Sequence, residues 1–284
     1  MTDMDPAGPG LPGTFARTFR SRLIPAGDVT LHAVTGGAGP ALLLLPGWPQ
    51  TWYAWREVMP ALARDFSVVA ADPRGTGLSD KPGSGYDTGT MAEDLVRMMA
   101  ALGHERFAVI GQDVGAWTAY ALAADHPAHV TRLALVEATI PALGEDGQQW
   151  HVAFNRLDGL NEELVRGREH LYFGHQFATK AYQALPSYAV EHYIDILRDP
   201  DALRASFEPY RALEVTYAQN ERRAAKRLGL PVLVIGGAQS VAGRPGVMLA
   251  PVAGDLTGVV LDNCGHYPAE EVPAEFLEEI GDFF

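Results

Sequence analysis

An α/β chain with a mostly parallel sheet and an all-helical insertion is the fold class this sequence predicts. Three observations predict it. Short apolar runs of strand length alternate with segments of helical spacing. Most of these runs are continuously apolar, as strands covered on both faces are. One long stretch, 141–228, contains no such run and has helical segments instead. The chain has 284 residues, which suits one large domain or one domain with an insertion. At 47% hydrophobic and 20% charged residues it has the material for a sizeable core, and disorder over most of its length is excluded.

The elements follow in order. Residues 28–35 (DVTLHAVT) alternate apolar and polar, the period of a half-buried strand. Ala41–Leu45 is a continuous apolar run ending in Pro46-Gly47, hence a buried strand and a loop. Phe66–Ala71, Phe107–Ile110, Leu133–Val136, Leu230–Ile235 and Thr257–Leu261 repeat that pattern. Between them, Thr90–Leu102 has helical apolar spacing with Gly103 as its C-cap. Val114–Ala124 is a small-residue helix, and Ala274–Phe284 is amphipathic and closes the sequence. In the insertion, 161–172, 188–197 and 213–228 read as helices, with Pro141, Pro186, Pro200 and Pro209 between or near them. The division expected is a flexible tail over 1–14, a first core part over 15–140, a helical cap over 141–228 and a second core part over 229–284. A cap inserted there lies over the carboxyl ends of the strands, where α/β sheets bind ligands.

Composition excludes several classes of partner. Lys+Arg is 22 and Asp+Glu is 35, a formal charge of −13. That argues against nucleic acid and against an anionic membrane surface. The one cysteine, Cys264, rules out an intrachain disulfide and a Cys-rich metal site, and reads as a small core residue. The first residues, MTDMDPAGPGLPGT, have two Asp, no Lys or Arg and no apolar run, unlike a secretory signal. A cytoplasmic protein is the expectation.

Gly111-Gln112-Asp113-Val114-Gly115 follows a strand and opens a helix. It has the G-x-D-x-G form of a nucleophile elbow, with Asp where Ser is commoner. The turn is sharp, and side chains at either glycine would meet neighbouring backbone. The N–H of Val114 and the helix dipole then favour an anion at Asp113. The bland alternative is a helix N-cap. A carboxylate nucleophile is ionised at neutral pH and needs no activating base. It attacks sp³ carbon, forms an alkyl ester, and requires a base-activated water to release it. The sequence has no G-x-S-x-G, which disfavours a serine esterase.

That base is His266, in Asn263-Cys264-Gly265-His266-Tyr267-Pro268 after the last strand run. The loop after Leu230–Ile235 holds no carboxylate to orient it; Gln239 cannot stabilise an imidazolium by charge. Glu137, at the end of the preceding strand, takes the orienting role, with a rim salt bridge as its alternative.

Pro46-Gly47-Trp48-Pro49 resembles the HGxP loop of α/β-hydrolases, with Pro46 in place of the usual His. The resemblance implies an oxyanion hole from the backbone N–H groups of Trp48 and Val114. Asp72-Pro73-Arg74-Gly75-Thr76-Gly77-Leu78-Ser79 matches the family's D-x-R-G-x-G-x-S segment, a structural one. The chain from about residue 15 resembles the epoxide hydrolase branch, and within it is most similar to the Cif-like epoxide hydrolases. Glu137 in VEATIP, Trp150-His151 and Phe207-Glu208-Pro209-Tyr210-Arg211 carry that likeness. It implies that the cap donates two ring-opening groups, by position His151 and Tyr210. Trp117, Trp150 and Phe154 are expected to line the substrate pocket, with Trp48 beside them; each is otherwise a core aromatic, Tyr210 a packed aromatic, and His151 a solvated one.

The implied reaction is epoxide opening by Asp113 and ester hydrolysis through His266, oriented by Glu137. No metal or organic cofactor is implied; the partners are a small epoxide and water, and a homodimer is the oligomer an apolar cap face allows. The rival is a dehalogenase, which shares the Asp-His-acid set. Dehalogenases of the superfamily place Trp directly after the nucleophile, and haloacetate enzymes place Arg there and three residues on. Here those positions are Val114 and Trp117. A silent hydrolase-fold binding protein is the second rival.

Overall fold

A computed structural model describes residues 3–144 and 149–284. Its centre is a nine-stranded sheet in the order β1-β2-β3-β5-β4-β6-β7-β8-β9. The strands are β1 (Asp3–Met4), β2 (Phe19–Ala26), β3 (Val29–Gly36), β4 (Ala41–Leu45), β5 (Ser67–Asp72), β6 (Phe107–Gln112), β7 (Val130–Val136), β8 (Leu228–Gly237) and β9 (Ala253–Leu261). The first three pair antiparallel, as do β3 and β5. From β5 through β9 every pairing is parallel. The fully buried run of β4, ALLLL, lies between β5 and β6, where both faces are covered.

Helices of the core are α1 (Phe15–Thr18), α2 (Met59–Leu62), α3 (Thr88–Ala101), α4 (Val114–Asp125), α11 (Arg244–Leu249), α12 (Pro268–Glu271) and α13 (Pro273–Phe283). Between β7 and β8 come α5 (Trp150–Asn155), α6 (Leu160–Val165), α7 (Glu169–Lys180), α8 (Ser187–Ile196), α9 (Pro200–Arg211) and α10 (Leu213–Ala224). One apolar cluster joins β-strand side chains to α3 and α4, for example Leu43, Leu95 and Leu122. A second joins the opposite face to Trp55 and to Phe276 of α13. A third sits where cap meets core: Trp48 and Val114 from below, Phe173, Phe207 and Tyr210 from above. No helix of the described residues is long and apolar enough to cross a membrane.

Several elements differ from expectation. β2 was not expected; Arg20 and Arg22 are half-buried in it, and its buried positions shift from Phe19 and Ser21 to Ile24 and Ala26, so no single alternation runs along it. The helix expected over 161–172 is two, α6 and α7, parted at Gly167, whose φ of 75° is left-handed. α9 is a full helix that begins on Pro200 and contains Pro209. The described part of the expected free tail is held: Asp3 and Met4 pair with Arg22 and Ser21, and the Tyr53 hydroxyl donates to the Pro9 carbonyl. Gly8 and Gly10 lack a side chain, which lets the segment lie close on Tyr53 and Tyr188, where a Cβ would come within 3 Å of either ring. The portions of the tail and cap expectations that fall on 1–2 and 145–148 lie outside the described residues.

Candidate active site

The sheet's topology brings the carboxyl ends of β4, β6, β7, β8 and β9 together, as open α/β sheets do at their ligand crevice. Each contributes one part of the site.

Asp113 leaves β6 on a backbone with φ 50° and ψ −120°, a conformation non-glycine residues rarely hold. The flanking glycines make that turn possible. A Cβ on Gly111 would come 2.4 Å from the Gly115 carbonyl oxygen, and one on Gly115 would come 2.4 Å from that of Pro46. Asp113 makes no side-chain N-cap bond into α4, so the helix-cap alternative does not describe it. Its Oδ1 instead accepts from the Trp48 N–H at 3.1 Å. The Val114 amide, at the start of α4, also favours a negative charge on this carboxylate. Asp72 steadies the Trp48 loop from below, accepting from the Trp52 N–H at 2.7 Å. Arg74 clasps Asp94 through two bonds, so both residues of that segment are structural.

His266 is held from both halves of the molecule. Its carbonyl accepts from Gln112 Nε2 at 2.7 Å, and its N–H donates to the Lys180 carbonyl at 3.1 Å. Glu271 gathers the surrounding loop by accepting from the N–H groups of Gly265 and Tyr267. The imidazole Nδ1 lies 2.9 Å from Glu137 Oε2, and Nε2 lies 3.3 Å from Asp113 Oδ2. Glu137, at φ 52°, is fully enclosed. Its carboxylate accepts from the Gly237 N–H and from Ser240 Oγ at 2.6 Å. The loop after β8 has no acid, and it supplies donors that hold an acid from β7. The rim salt-bridge alternative for Glu137 fails on burial.

The charge states follow from these neighbours. Burial alone opposes a charged Asp113, but the adjacent His266 imidazole, the Lys180 ammonium and the Val114 amide outweigh it and hold the carboxyl well below its ordinary range. Burial likewise opposes a charged His266, yet the two flanking carboxylates raise its pKa. Burial, and then the Asp113 charge, push the Tyr210 hydroxyl far up, so it remains a phenol and a donor. Burial pushes the Cys264 thiol up as well, in keeping with an unreactive core residue.

A cavity of about 170 Å³ opens over Asp113 and is walled by His151, Tyr210, Trp117, Lys180 and His266. Tyr210 packs edge-on to both Trp48 and Trp117, with ring centres 5.5 and 5.8 Å apart. His151 is buried and stacks face-on against Trp48 at 5.7 Å; it is not the solvated residue of the alternative reading. The Trp117 indole donates to the Thr139 carbonyl at 2.9 Å, which fixes its ring in the wall.

Two expected pocket residues lie elsewhere. Trp150, 55% exposed, and Phe154 form an outer groove of the cap with Leu164, Leu171 and His175. The reason is helical phase. His151 and Asn155, four apart, are the buried pair of α5; Trp150 and Phe154 are the pair one position back and so point about 100° away. Sequence reasoning also missed Ser240 and Lys180. For Lys180 a signal existed: it continues the buried stripe Phe173, Gln176, Phe177 of α7 at helical spacing, a place where lysine is unusual.

The comparisons with known proteins agree with this architecture. The family model described as the alpha/beta hydrolase fold matches residues 40–273. The chain is 33% identical to a soluble epoxide hydrolase of Corynebacterium sp. (strain C12) over 272 residues, 89% of this chain and 93% of that one. It is 35% identical to a fluoroacetate dehalogenase of Burkholderia sp. over 237 residues, 77% of this chain and 78% of that one. Among solved structures, Cfl2 from Burkholderia cenocepacia superposes with a TM-score of 0.93 at 36% identity, covering 100% of both chains.

Proposed function

The chain belongs to the α/β-hydrolase family, on its epoxide hydrolase branch, and from that premise we propose that it opens an epoxide to a vicinal diol through a covalent ester on Asp113. One observation carries the reading. A carboxylate at the start of α4, with one oxygen held by the Trp48 amide and the other facing a histidine, lies beneath a cavity whose opposite wall presents a phenol and an imidazole.

Asp113 Oδ2 attacks an epoxide carbon. The expelled oxygen is a poor leaving group near neutral pH, and Tyr210 and His151 donate to it. The Asp113 charge that raises the Tyr210 pKa disappears when the ester forms, so the phenol becomes a stronger acid as the oxygen needs it. The same loss of charge lowers the pKa of His266 and frees it to deprotonate water. Glu137 balances the imidazolium that results. Water attacks the ester carbonyl, whose oxygen occupies the hole formed by the Trp48 and Val114 amides through the tetrahedral intermediate. The carboxylate is restored and the diol leaves.

A dehalogenase reading has two observations in its favour: the 35% identity to a fluoroacetate dehalogenase, and the Trp48 indole N–H, buried with no hydrogen-bond partner among the described residues, as a halide donor would be. Against it, Val114 and Trp117 occupy the positions where haloacetate enzymes carry Arg. Diol formation from styrene oxide, measured beside halide release from fluoroacetate and 1-bromobutane, tests the choice. Diol formation that is lost in Asp113→Ala is expected. Halide release without diol would move the assignment to the dehalogenase.

A further inference from the structure

Lys180 is a cation inside this cavity that the scheme above leaves unused. It ends α7, and its carbonyl holds the His266 N–H. Its Nζ lies 3.3 Å from His151 Nε2 and 5.7 Å from the centre of the Trp48 ring. Among the described residues it forms no salt bridge; the charged and titratable groups that face it are His151 from α5, Asp113 at the elbow, Glu137 after β7 and His266 after β9. An ammonium has donors and no lone pair. His151 Nε2 therefore accepts from it, and the imidazole proton sits on Nδ1. Burial, and then the Lys180 charge, press the His151 pKa down to about 4, so the ring is neutral.

Resting on the epoxide reading, we propose that the Lys180–His151 pair supplies the proton to the oxygen expelled when Asp113 attacks. The Asp113 Oδ2–carbon bond forms, the carbon–oxygen bond of the ring breaks, and its electron pair stays on the oxygen. That oxygen takes the His151 Nδ1 proton while His151 Nε2 takes one from Lys180. The products are a hydroxyalkyl ester, a neutral imidazole of the other tautomer and a neutral amine. One negative and one positive charge vanish together, which a low-dielectric cavity favours. The proton that His266 later takes from water restores the total through solvent. The placement is suited to the step. The Lys180 charge favours the resting Asp113 carboxylate from a distance, while its direct polar contact is to His151, the donor to the leaving oxygen. Burial also lowers the Lys180 pKa, although Asp113 and Glu137 oppose that, which makes it a readier proton source than a surface lysine.

The test uses the His266→Gln protein, in which the ester accumulates, with styrene oxide as probe and intact mass as readout. Single-turnover ester formation is followed from about pH 6 to pH 10. The proposal predicts a rate that falls on the alkaline side as Lys180 loses its proton. Tyr210, far above its ordinary pKa, does not supply that limb. Lys180→Met is expected to lower the plateau by roughly 10- to 100-fold and to flatten the limb. Lys180→Arg keeps the charge but releases no proton, so it is expected to stay slow and flat; full rescue by Arg would reduce Lys180 to a fixed charge and overturn the relay. A flat profile in the parent, or a Lys180→Met rate equal to the parent's, also overturns it while leaving the epoxide reading intact. The parent's profile decides even if the Met variant does not fold. No ester in the parent counts against the epoxide reading itself.

Discussion

Asp113, Glu137 and His266 stand on loops at strand ends, two of them at positive φ; the carboxylates of Asp113 and Glu137 accept from the backbone N–H groups of Trp48 and Gly237, and the His266 carbonyl accepts from the Gln112 side chain. His151, Lys180 and Tyr210 stand on three cap helices, α5, α7 and α9, and are fixed by ring packing around Trp48. The floor thus resists movement through strained, short-range geometry, while the wall keeps its place through aromatic contacts. The difference divides the labour. In the proposed reaction the floor makes and breaks the ester, and the wall manages the charge that leaves with the oxygen. Substitutions in the two regions should therefore slow different steps.

The widest separation is expected between Glu137→Gln and Tyr210→Phe. Glu137→Gln keeps a polar group against His266 but removes the charge that balances the imidazolium. It should slow ester hydrolysis on the order of 10²-fold and spare ester formation. Tyr210→Phe removes a leaving-oxygen donor and should do the reverse by a similar or smaller factor. Burst and steady-state phases of epoxide consumption separate the two, and a variant that slows both steps equally would erase the division.

A smaller effect sharpens the same comparison. Asp113→Asn imitates the neutral ester without substrate. Because the Asp113 carboxylate helps hold the His266 pKa up, removing its charge should bring that pKa down, and histidine NMR titration would show the shift. An unchanged titration would mean that the base is not switched on by ester formation.

The smallest expected effect marks the outer limit of the wall. Trp150→Ala should change turnover by no more than about twofold and stability by about 0.5 kcal/mol or less, since its ring lies on the outer groove. A large loss in kcat/KM would place the substrate path through that groove.

The floor was legible in the sequence and the wall less so, for a physical reason. Gly111, Asp113 and Gly115 form a turn whose requirements are local, and a local requirement leaves a local signature. His266 follows a strand run, and Glu137 stood out because the loop after β8 offers no acid. Ser240 left no trace, since its contact to Glu137 spans 103 residues. The wall depends on helix phase. His151 and Tyr210 came through family likeness, whereas Trp150 and Phe154 were expected inside because aromatic character does not reveal which side of α5 is buried. The parallel core strands were legible as continuous apolar runs, while β2 was hidden by its arginines and Pro25.

The central claim is that Asp113 becomes an ester of the intact epoxide. Intact-protein mass spectrometry of His266→Gln after exposure to styrene oxide, 1-bromobutane and fluoroacetate tests it most directly. A mass gain equal to the whole epoxide, located by peptide mapping on Asp113, is the predicted result. A gain only from a halogenated compound less its halide, or an epoxide adduct on any residue other than Asp113, would contradict it.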